Sequence, residues 1–246
     1  MVLKRKAMRE YSKDLKILHG VFDERTLMTL YKILDRNRIY VESLVKEGKE
    51  SVVLLGKNNE GSYFAIKVFR KEASNFKSMW KYLIGDPRFS SLRKNRGRVV
   101  EEWVKREFRN LRTAFDGGVD CPRPVDYMRN VLIMDFIGEG KESAPMLINT
   151  IPEKPEGIYK RILSNMEKLA KSGLVHGDLS AYNVLYPGRP VLIDFSHGTT
   201  RKSPLFEDLL RRDIKNINSY FSKYIAVKTE EKLFNELIKH IRAKRE

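Results

Sequence analysis

The stretch Gly173–Phe195, GLVHGDLSAYNVLYPGRPVLIDF, decides how this chain of 246 residues is interpreted. It places polar side chains at fixed offsets between short strand-like runs of Val, Leu and Ile. These polar residues are His176, Asp178, Asn183 and Asp194. Each of them is common in ordinary turns. Turns alone are a poor explanation for all four residues at these offsets together with the Ile-Asp-Phe run.

The spacing of the first three residues matches the H-x-D-L-x-x-x-N pattern of kinase catalytic loops. A phosphoryl-transfer site needs a carboxylate that accepts or orients the attacking hydroxyl, and Asp178 suits that role. It also needs oxygen ligands for Mg²⁺, which neutralises charge on the phosphates. Asn183 and Asp194 suit this second role, because Asp194 follows the apolar run VLI where a strand would end. The stretch therefore predicts a phosphoryl-transfer site.

A nucleotide site also needs a cation for the phosphates, and Lys67 in the strand-like run FAIKV matches a lysine motif of such sites. A strand lysine can instead protect a sheet edge. Glu107 lies on or beside the apolar stripe of a predicted helix over 99–115, where a carboxylate without a partner is rarely buried. That stripe consists of Val100, Val104, Phe108, Leu111 and Phe115. A Lys67–Glu107 ion pair is the economical solution; the alternative is a carboxylate that reaches out to solvent.

The remaining patterns predict an α+β chain, with strands and one main helix first and mainly helices afterwards. Helices are predicted at 23–36, near 74–83, and at 99–115, 157–172, 205–224 and 229–243. Strand-like runs follow the first helix, and a hairpin turns near Asn130. We expect one catalytic unit over 1–246 with two lobes that join near 135–142. Its parts are a basic extension at 1–22, an N-lobe at 23–136 with a flexible basic loop at about 86–98, and a C-lobe at 137–246.

The composition limits the partners and the setting. The net charge is +16, and residues 70–112 carry 13 basic against 5 acidic residues. This surplus favours a polyanion such as RNA over a merely solvated basic face, which stays the alternative. The single cysteine, Cys121, excludes an intrachain disulfide and a thiolate zinc cage. A single cysteine fits a reducing, cytoplasmic setting. No membrane span or secretory signal is apparent, so we expect no membrane partner.

Together these motifs resemble the RIO family of atypical serine/threonine protein kinases, most closely its type-1 subfamily. The resembling segments are GKES, FKSMWKYLIGDPRF, VKREFRNL, LVHGDLSAYN, LIDFS and FEDLLRRDIKNINSYF. They cover most of residues 35–225 in the order of the family. The type-2 subfamily carries an N-terminal winged helix, and the 66 residues before Lys67 are too few for that domain and three strands.

The resemblance implies a two-lobed kinase-like fold, ATP and Mg²⁺ as ligands, and a role in maturation of the small ribosomal subunit. It implies that Lys67 binds phosphate and is held by Glu107, that Asp178 accepts the proton, and that Asn183 and Asp194 bind the metal. In the family, the aspartate matching Asp194 is also proposed to take the phosphoryl group transiently. The expected nucleotide contacts are Gly48 and Lys49 in the phosphate loop, and Met134, Asp135 and Ile137 at the adenine.

Three features depart from the family pattern. Lys46 and Glu47 stand where the family usually has Ser-Thr, so hydroxyl contacts to phosphate are in doubt there. His197 and Gly198 replace a more apolar pair. No A-P-E motif follows Asp194, although this absence is itself typical of RIO kinases. Only nine residues separate Asp194 from Pro204, too few for a substrate-docking activation segment.

Three functions therefore stay open at this point. The first is a serine/threonine protein kinase or ATPase that acts on a ribosomal precursor. The second is a small-molecule phosphotransferase of the antibiotic or choline type, against which the short basic C-terminal region argues. The third is a nucleotide-gated RNA-binding module in which hydrolysis is residual.

Overall fold

The computed structural model describes residues 22–70, 76–89 and 95–242. The N-terminal half comprises α1 (Glu24–Asn37), β1 (Ile39–Glu47), β2 (Ser51–Asn58), β3 (Tyr63–Phe69), α2 (Phe76–Ile84), α3 (Arg96–Asp116), β4 (Pro124–Met128) and β5 (Val131–Asp135). The C-terminal half comprises β6 (Gly138–Glu139), β7 (Glu142–Ser143), α4 (Pro155–Lys171), β8 (Leu174–Val175), β9 (Val184–Leu185), β10 (Val191–Leu192), β11 (Thr199–Thr200), α5 (Phe206–Phe221) and α6 (Glu230–Arg242). The predicted extension at 1–22 lies outside the described residues except for Phe22.

The N-terminal half is built on a five-stranded antiparallel sheet with the order β1-β2-β3-β5-β4. Alternation along β3 sends Phe64, Ile66 and Val68 into one apolar cluster with α1. Lys67 therefore points to the opposite face, which α3 covers. Helix α1 begins where predicted, because the Asp23 carboxylate accepts a hydrogen bond of 2.8 Å from the Thr26 N–H.

Helix α3 packs its apolar stripe against the sheet and against the C-terminal half. It begins at Arg96, capped by Asn95, rather than at residue 99. Phe115, which the periodicity placed on the stripe, is 38% exposed. The stripe instead gains Trp103, whose ring is buried.

The predicted flexible loop at about 86–98 requires correction at both of its ends. Asp86 is fully buried, and Pro87–Phe89 form a 3-10 turn that buries Phe89. At the other end, the helix α3 already includes residues 96–98. Residues 90–94 lie outside the described residues.

The C-terminal half is mainly helical, and the bounds of α4, α5 and α6 differ from the predicted ones by three residues at most. The β6–β7 hairpin occupies the region where two lobes were predicted to join. One continuous apolar core links these helices to α2, α3 and the sheet. Within the described ranges, no helix combines the length and the apolar character that crossing a membrane requires.

Candidate active site

Lys67 lies at the centre of the candidate site, between two carboxylates from distant parts of the chain. Its Nζ is 2.9 Å from Glu107 Oε1 and 3.1 Å from Glu107 Oε2. The same Nζ is 3.1 Å from Asp194 Oδ1. The predicted Lys67–Glu107 pair is therefore present, and the lysine also reaches the loop after β10. Strand β3, helix α3 and this loop meet at one point.

Burial and the charges of the three groups together set their pKa values. Burial lowers the pKa of Lys67, but the charges of Asp194 and Glu107 outweigh it and raise the pKa above its ordinary value. Burial raises the pKa of Glu107 to about 7, against the lowering effect of the Lys67 charge. Burial also raises the pKa of Asp194, but Lys67 and the hydrogen bond from Ser196 hold it below its ordinary range. The charge of Lys67 thus lowers the pKa of both carboxyl groups, and loss of that charge would raise the pKa of Glu107 further.

Asp178 and Asn183 lie together in the loop after β8. The Asn183 Nδ2 donates to the Asp178 carbonyl at 2.8 Å and to Asp178 Oδ2 at 3.1 Å. Both bonds use the amide nitrogen, so the Asn183 Oδ1 remains as an oxygen ligand. Burial raises the pKa of Asp178, while the nearby Arg212 guanidinium lowers it, and the net direction is upward. An upward shift suits a proton acceptor that works near neutral pH.

The loop that carries Asp178 is held in place by hydrogen bonds that its backbone N–H groups donate to the rest of the protein. The Asp213 carboxylate accepts hydrogen bonds of 2.8 Å from both the Gly177 and Leu179 N–H groups. His176 Nε2 lies 3.0 Å from the Ile193 carbonyl and ties this loop to the segment before Asp194. Residue 177 has a φ of +79°, and a Cβ there would approach the His197 carbonyl to 2.6 Å. Only glycine fits between His176 and Asp178.

The segment Asp194–Gly198, which we call the metal loop, is strained and tightly anchored. Asp194 adopts a left-handed φ of 65°, which is uncommon for a residue with a side chain and is typical of functional sites. The Ser196 Oγ donates to Asp194 Oδ1 at 2.7 Å. From α3, the Asn110 amide donates to the carbonyls of Phe195 at 2.9 Å and Gly198 at 2.7 Å. A Cβ on residue 198 would lie 2.9 Å from Asn110 Nδ2, which explains the glycine there.

A cleft of about 710 Å³ separates the two halves beside this cluster. Its lining includes every residue that the sequence assigned to nucleotide and metal: Gly48, Lys49, Lys67, Glu107, Met134, Asp135, Ile137, Asn183 and Asp194. Asp178 is not part of that lining and joins it through Asn183. The Gly48 N–H donates to the Ser51 carbonyl at 2.9 Å, which closes the β1–β2 turn at the cleft edge. Glu47 pairs with Arg70, so it faces a cation of the protein.

The oxygens at this cleft fit a magnesium ion that is shared with a substrate. Asn183 and Asp194 supply one amide oxygen and one carboxylate, and Mg²⁺ is usually bound by one or two carboxylates together with phosphate oxygens. Among the described residues, no group of three or more His, Cys, Asp or Glu side chains forms a self-sufficient metal site. The donor set therefore suits hard-cation chemistry in which the phosphates complete the coordination.

Sequence reasoning missed two residues that support the site, Asp213 and Arg212 of α5. The Arg212 Nη2 lies 3.7 Å from Asp178 Oδ1 and donates to the Gly177 carbonyl. A signal for Asp213 was present, because it lies four residues after Leu209 and three after Leu210 on the buried stripe of α5. A carboxylate at such a position requires a partner. The same reasoning identified Glu107 on α3.

The comparisons with known proteins show the family of the chain. The family model of the RIO domain matches residues 52–234. The Rio1 RIO-type serine/threonine-protein kinase of Methanocaldococcus jannaschii is 39% identical over 241 residues, which cover 96% of this chain and 80% of the relative. That of Haloferax volcanii is 36% identical over 212 residues and covers 85% and 73%. Human serine/threonine-protein kinase RIO1 is 33% identical over 229 residues, 90% of this chain but 40% of the human protein.

Solved structures show the same fold at lower sequence identity. A crystal structure described as the Rio2 kinase-ADP/Mg²⁺-phosphoaspartate complex from Chaetomium thermophilum superposes with a TM-score of 0.67. It is 20% identical and covers 87% of this chain and 66% of that chain. The predicted α+β fold of kinase-like architecture is therefore confirmed. The sequence, through the family match and these relatives, places the chain in the RIO family, within the type-1 subfamily of serine/threonine-protein kinases, and makes it a phosphotransferase of that family.

Proposed function

We propose that the cleft binds ATP with Mg²⁺ and that the protein transfers the γ-phosphoryl group to a serine or threonine hydroxyl. The observation that carries this proposal is the position of Lys67, whose Nζ contacts both Glu107 and Asp194 beside the Asp178–Asn183 pair. Phosphoryl transfer depends mainly on positioning and charge, and this arrangement supplies a fixed cation and oxygen ligands at one point.

The lining of the cleft supports an orientation for the nucleotide. Lys67 would hold the phosphates, with the Gly48–Lys49 turn over them. The Asp135 N–H already donates to Arg123 O at 2.9 Å, and Ile137 O accepts from the Ala144 N–H at 3.0 Å. We assign the other backbone groups, the Asp135 carbonyl and the Ile137 N–H, to the adenine edge. Met134 would contact the face of the base.

The magnesium ion would be held by Asn183 Oδ1 and the Asp194 carboxylate. When bound, it supplies positive charge that neutralises the phosphate oxygens. Asp178 accepts the proton of the attacking hydroxyl at its carboxylate, a role that its raised pKa favours. The relatives are named protein kinases, so the small-molecule phosphotransferase alternative has no support from them.

Asp194 is also suited to take the phosphoryl group itself, as the resemblance implied. The Rio2 structure from Chaetomium thermophilum is described as a phosphoaspartate complex. In this chain, Lys67 and Ser196 keep Asp194 ionised, and its side chain is 40% exposed to the cleft. An ionised and accessible carboxylate can attack phosphorus and displace ADP. An acyl phosphate formed in this way would be released by hydroxylamine.

The short segment after Asp194, together with the basic surplus over 70–112, supports a nucleotide-gated RNA-binding role beside kinase activity. Residues 195–203 are occupied by the 3-10 turn Phe195–His197 and by β11, which pairs with β8. They leave no extended docking segment for a peptide. The basic surplus over 70–112 supports a polyanionic partner, and we propose the RNA of a small-subunit precursor in the cytoplasm.

The proposed function is tested by ATP turnover with wild type and Asp178→Ala. Removal of the proton acceptor should lower the rate by about 100-fold or more. Asp126→Ala is the matched control, because Asp126 lies on β4 and pairs with Arg36 at the end of α1, on the face of the sheet opposite Lys67. Equal turnover by wild type and Asp178→Ala would contradict the proposed function.

A further inference from the structure

Tyr82, in the last turn of α2, contacts the metal loop through its ring. The Tyr82 ring centroid lies 4.9 Å from that of His197, with the planes at 87°. The Trp103 ring of α3 also contacts His197, with centroids 5.2 Å apart and planes at 87°. The imidazole of His197 therefore packs edge-to-face against two rings that also contact each other. His197 lies three residues after Asp194, so this packing restrains the loop that carries the Asp194 carboxylate.

The hydroxyl of Tyr82 leads to the other catalytic segment. It accepts a hydrogen bond of 3.2 Å from Arg212 Nη1. Arg212 in turn donates to the Gly177 carbonyl, and its Nη2 lies 3.7 Å from Asp178 Oδ1. Tyr82 is thus linked to the loop of Asp194 by the contact of its ring with His197. It is linked to Asp178 by the hydrogen bond of its hydroxyl with Arg212.

Arg106 reinforces this junction from α3. Its buried guanidinium lies 5.9 Å from the Tyr82 ring and 5.4 Å from the Trp103 ring. It donates to the carbonyls of Gly198 at 3.0 Å and His197 at 3.3 Å, and it lies 3.6 Å from the Asp86 carboxylate just after α2. Because Asp86 is fully buried, this end of α2 is fixed to α3. The end of α2 and the metal loop therefore share Arg106 as a common partner.

We infer that Tyr82 is a positioning residue that couples α2 to both catalytic aspartates, and that it sets the relative placement of Asp178 and Asp194. Its contacts account for a ring at position 197. The inference rests on the proposed function, because it assumes that both aspartates act in phosphoryl transfer. Catalysis depends on such placement to within fractions of an ångström, whereas nucleotide binding through Lys67 does not involve Tyr82.

The test compares three variants of the full chain in steady-state ATP turnover, which reports phosphoryl transfer. Tyr82→Phe removes the hydroxyl alone, and Tyr82→Leu removes the hydroxyl and the ring. Tyr31→Leu is the matched control, since Tyr31 is a half-buried tyrosine that packs in the separate cluster around α1. For each variant kcat, the KM for ATP and the unfolding midpoint are measured.

The coupling predicts a graded loss in kcat. Tyr82→Leu should lower kcat about tenfold, and Tyr82→Phe about threefold, as expected for contacts that modulate a site from outside it. The KM for ATP should change less than about twofold in both, because a positioning defect acts on the transition state and not on ground-state binding. Tyr31→Leu should lower the unfolding midpoint comparably and leave kcat unchanged.

Asp178→Ala, measured in parallel, separates the two levels of the argument. If Asp178→Ala abolishes transfer while Tyr82→Leu behaves like Tyr31→Leu, the proposed site stands and the coupling through Tyr82 is overturned. A loss of kcat in Tyr82→Leu that is matched by an equal loss in Tyr31→Leu also overturns it. If Asp178→Ala retains wild-type transfer, the proposed function fails, and the inference fails with it.

Discussion

Replacing Lys67 by methionine should make the stability of the fold depend on pH in a way that reports on Glu107. Methionine keeps an unbranched apolar stem and removes the charge. Beside Lys67, burial already raises the pKa of Glu107 from 4.5 to about 7. Without the lysine, the opposing effect disappears, and the folded-state pKa of Glu107 lies above that value.

The sign and the size follow from the two states of the carboxyl group. In the Lys67→Met variant the folded state binds the proton more tightly than the unfolded state. The contribution of Glu107 to stability is therefore complete below pH 4.5 and is lost as the pH rises through the folded pKa. A shift from 4.5 to at least about 7 corresponds to at least about 3 kcal/mol, at about 1.4 kcal/mol per pH unit.

The assay is urea unfolding of Lys67→Met and of the double variant Lys67→Met/Glu107→Gln at a series of pH values from about 5 to 8. Glutamine keeps the shape of Glu107 and cannot titrate, and all other groups, including Asp194, are the same in both proteins. The difference in unfolding free energy between the two variants should change by about 3 kcal/mol across this range. A difference that stays constant within about 0.5 kcal/mol would refute the reasoning, because Glu107 would then have reached solvent.

Three further predictions concern the loop that carries Asp178 and the basic residues over 70–112. Asp213→Asn replaces one of the two oxygens that accept the Gly177 and Leu179 N–H groups, and it should cost about 1–3 kcal/mol in urea unfolding and lower kcat. Asp208→Asn on the exposed side of α5 is its control, and equal effects of the two substitutions would contradict this role. Burial lowers the pKa of His176 to about 4, so the unfolded state binds its proton first. Stability should fall by about 3 kcal/mol as the pH drops from 6.5 to 4, and His176→Gln should remove that part of the fall. The logarithm of the association constant for small-subunit precursor RNA, measured by filter binding, should fall linearly with the logarithm of the salt concentration. An association constant that does not change with salt would contradict a phosphate-based interface.

The local patterns of the chain predicted most elements of the fold, and several of the residues that they singled out line one cleft. Glu107 could be located because a carboxylate on a buried helical stripe needs a partner, and Lys67 was the available cation. The strands and the capped α1 helix followed from alternation and from Asp23. These patterns involve residues that are close in sequence, so they can be recognised without knowledge of the tertiary packing.

The supporting contacts could not be predicted because their partners are distant in sequence. Asp213 lies more than thirty residues after the loop that it holds, and Tyr82 lies about 115 residues before His197. The order at Asp86 also escaped prediction, since its buried carboxylate is compensated by Arg88 and Arg106. A segment rich in charged residues is predicted to be a loop when the ion pairs that allow its burial are not known. The aromatic packing of His197 belongs to the same class of long-range contact.

The most direct test of the central claim is a crystal structure of the chain with Mg²⁺ and a non-hydrolysable ATP analogue. The account predicts the triphosphate in the cleft against Lys67, with the magnesium ion about 2.1 Å from oxygens of Asn183 and Asp194 and with Asp178 facing the terminal phosphate. Nucleotide bound elsewhere, or a metal ion held by other side chains while Lys67 stays remote from the phosphates, would contradict it.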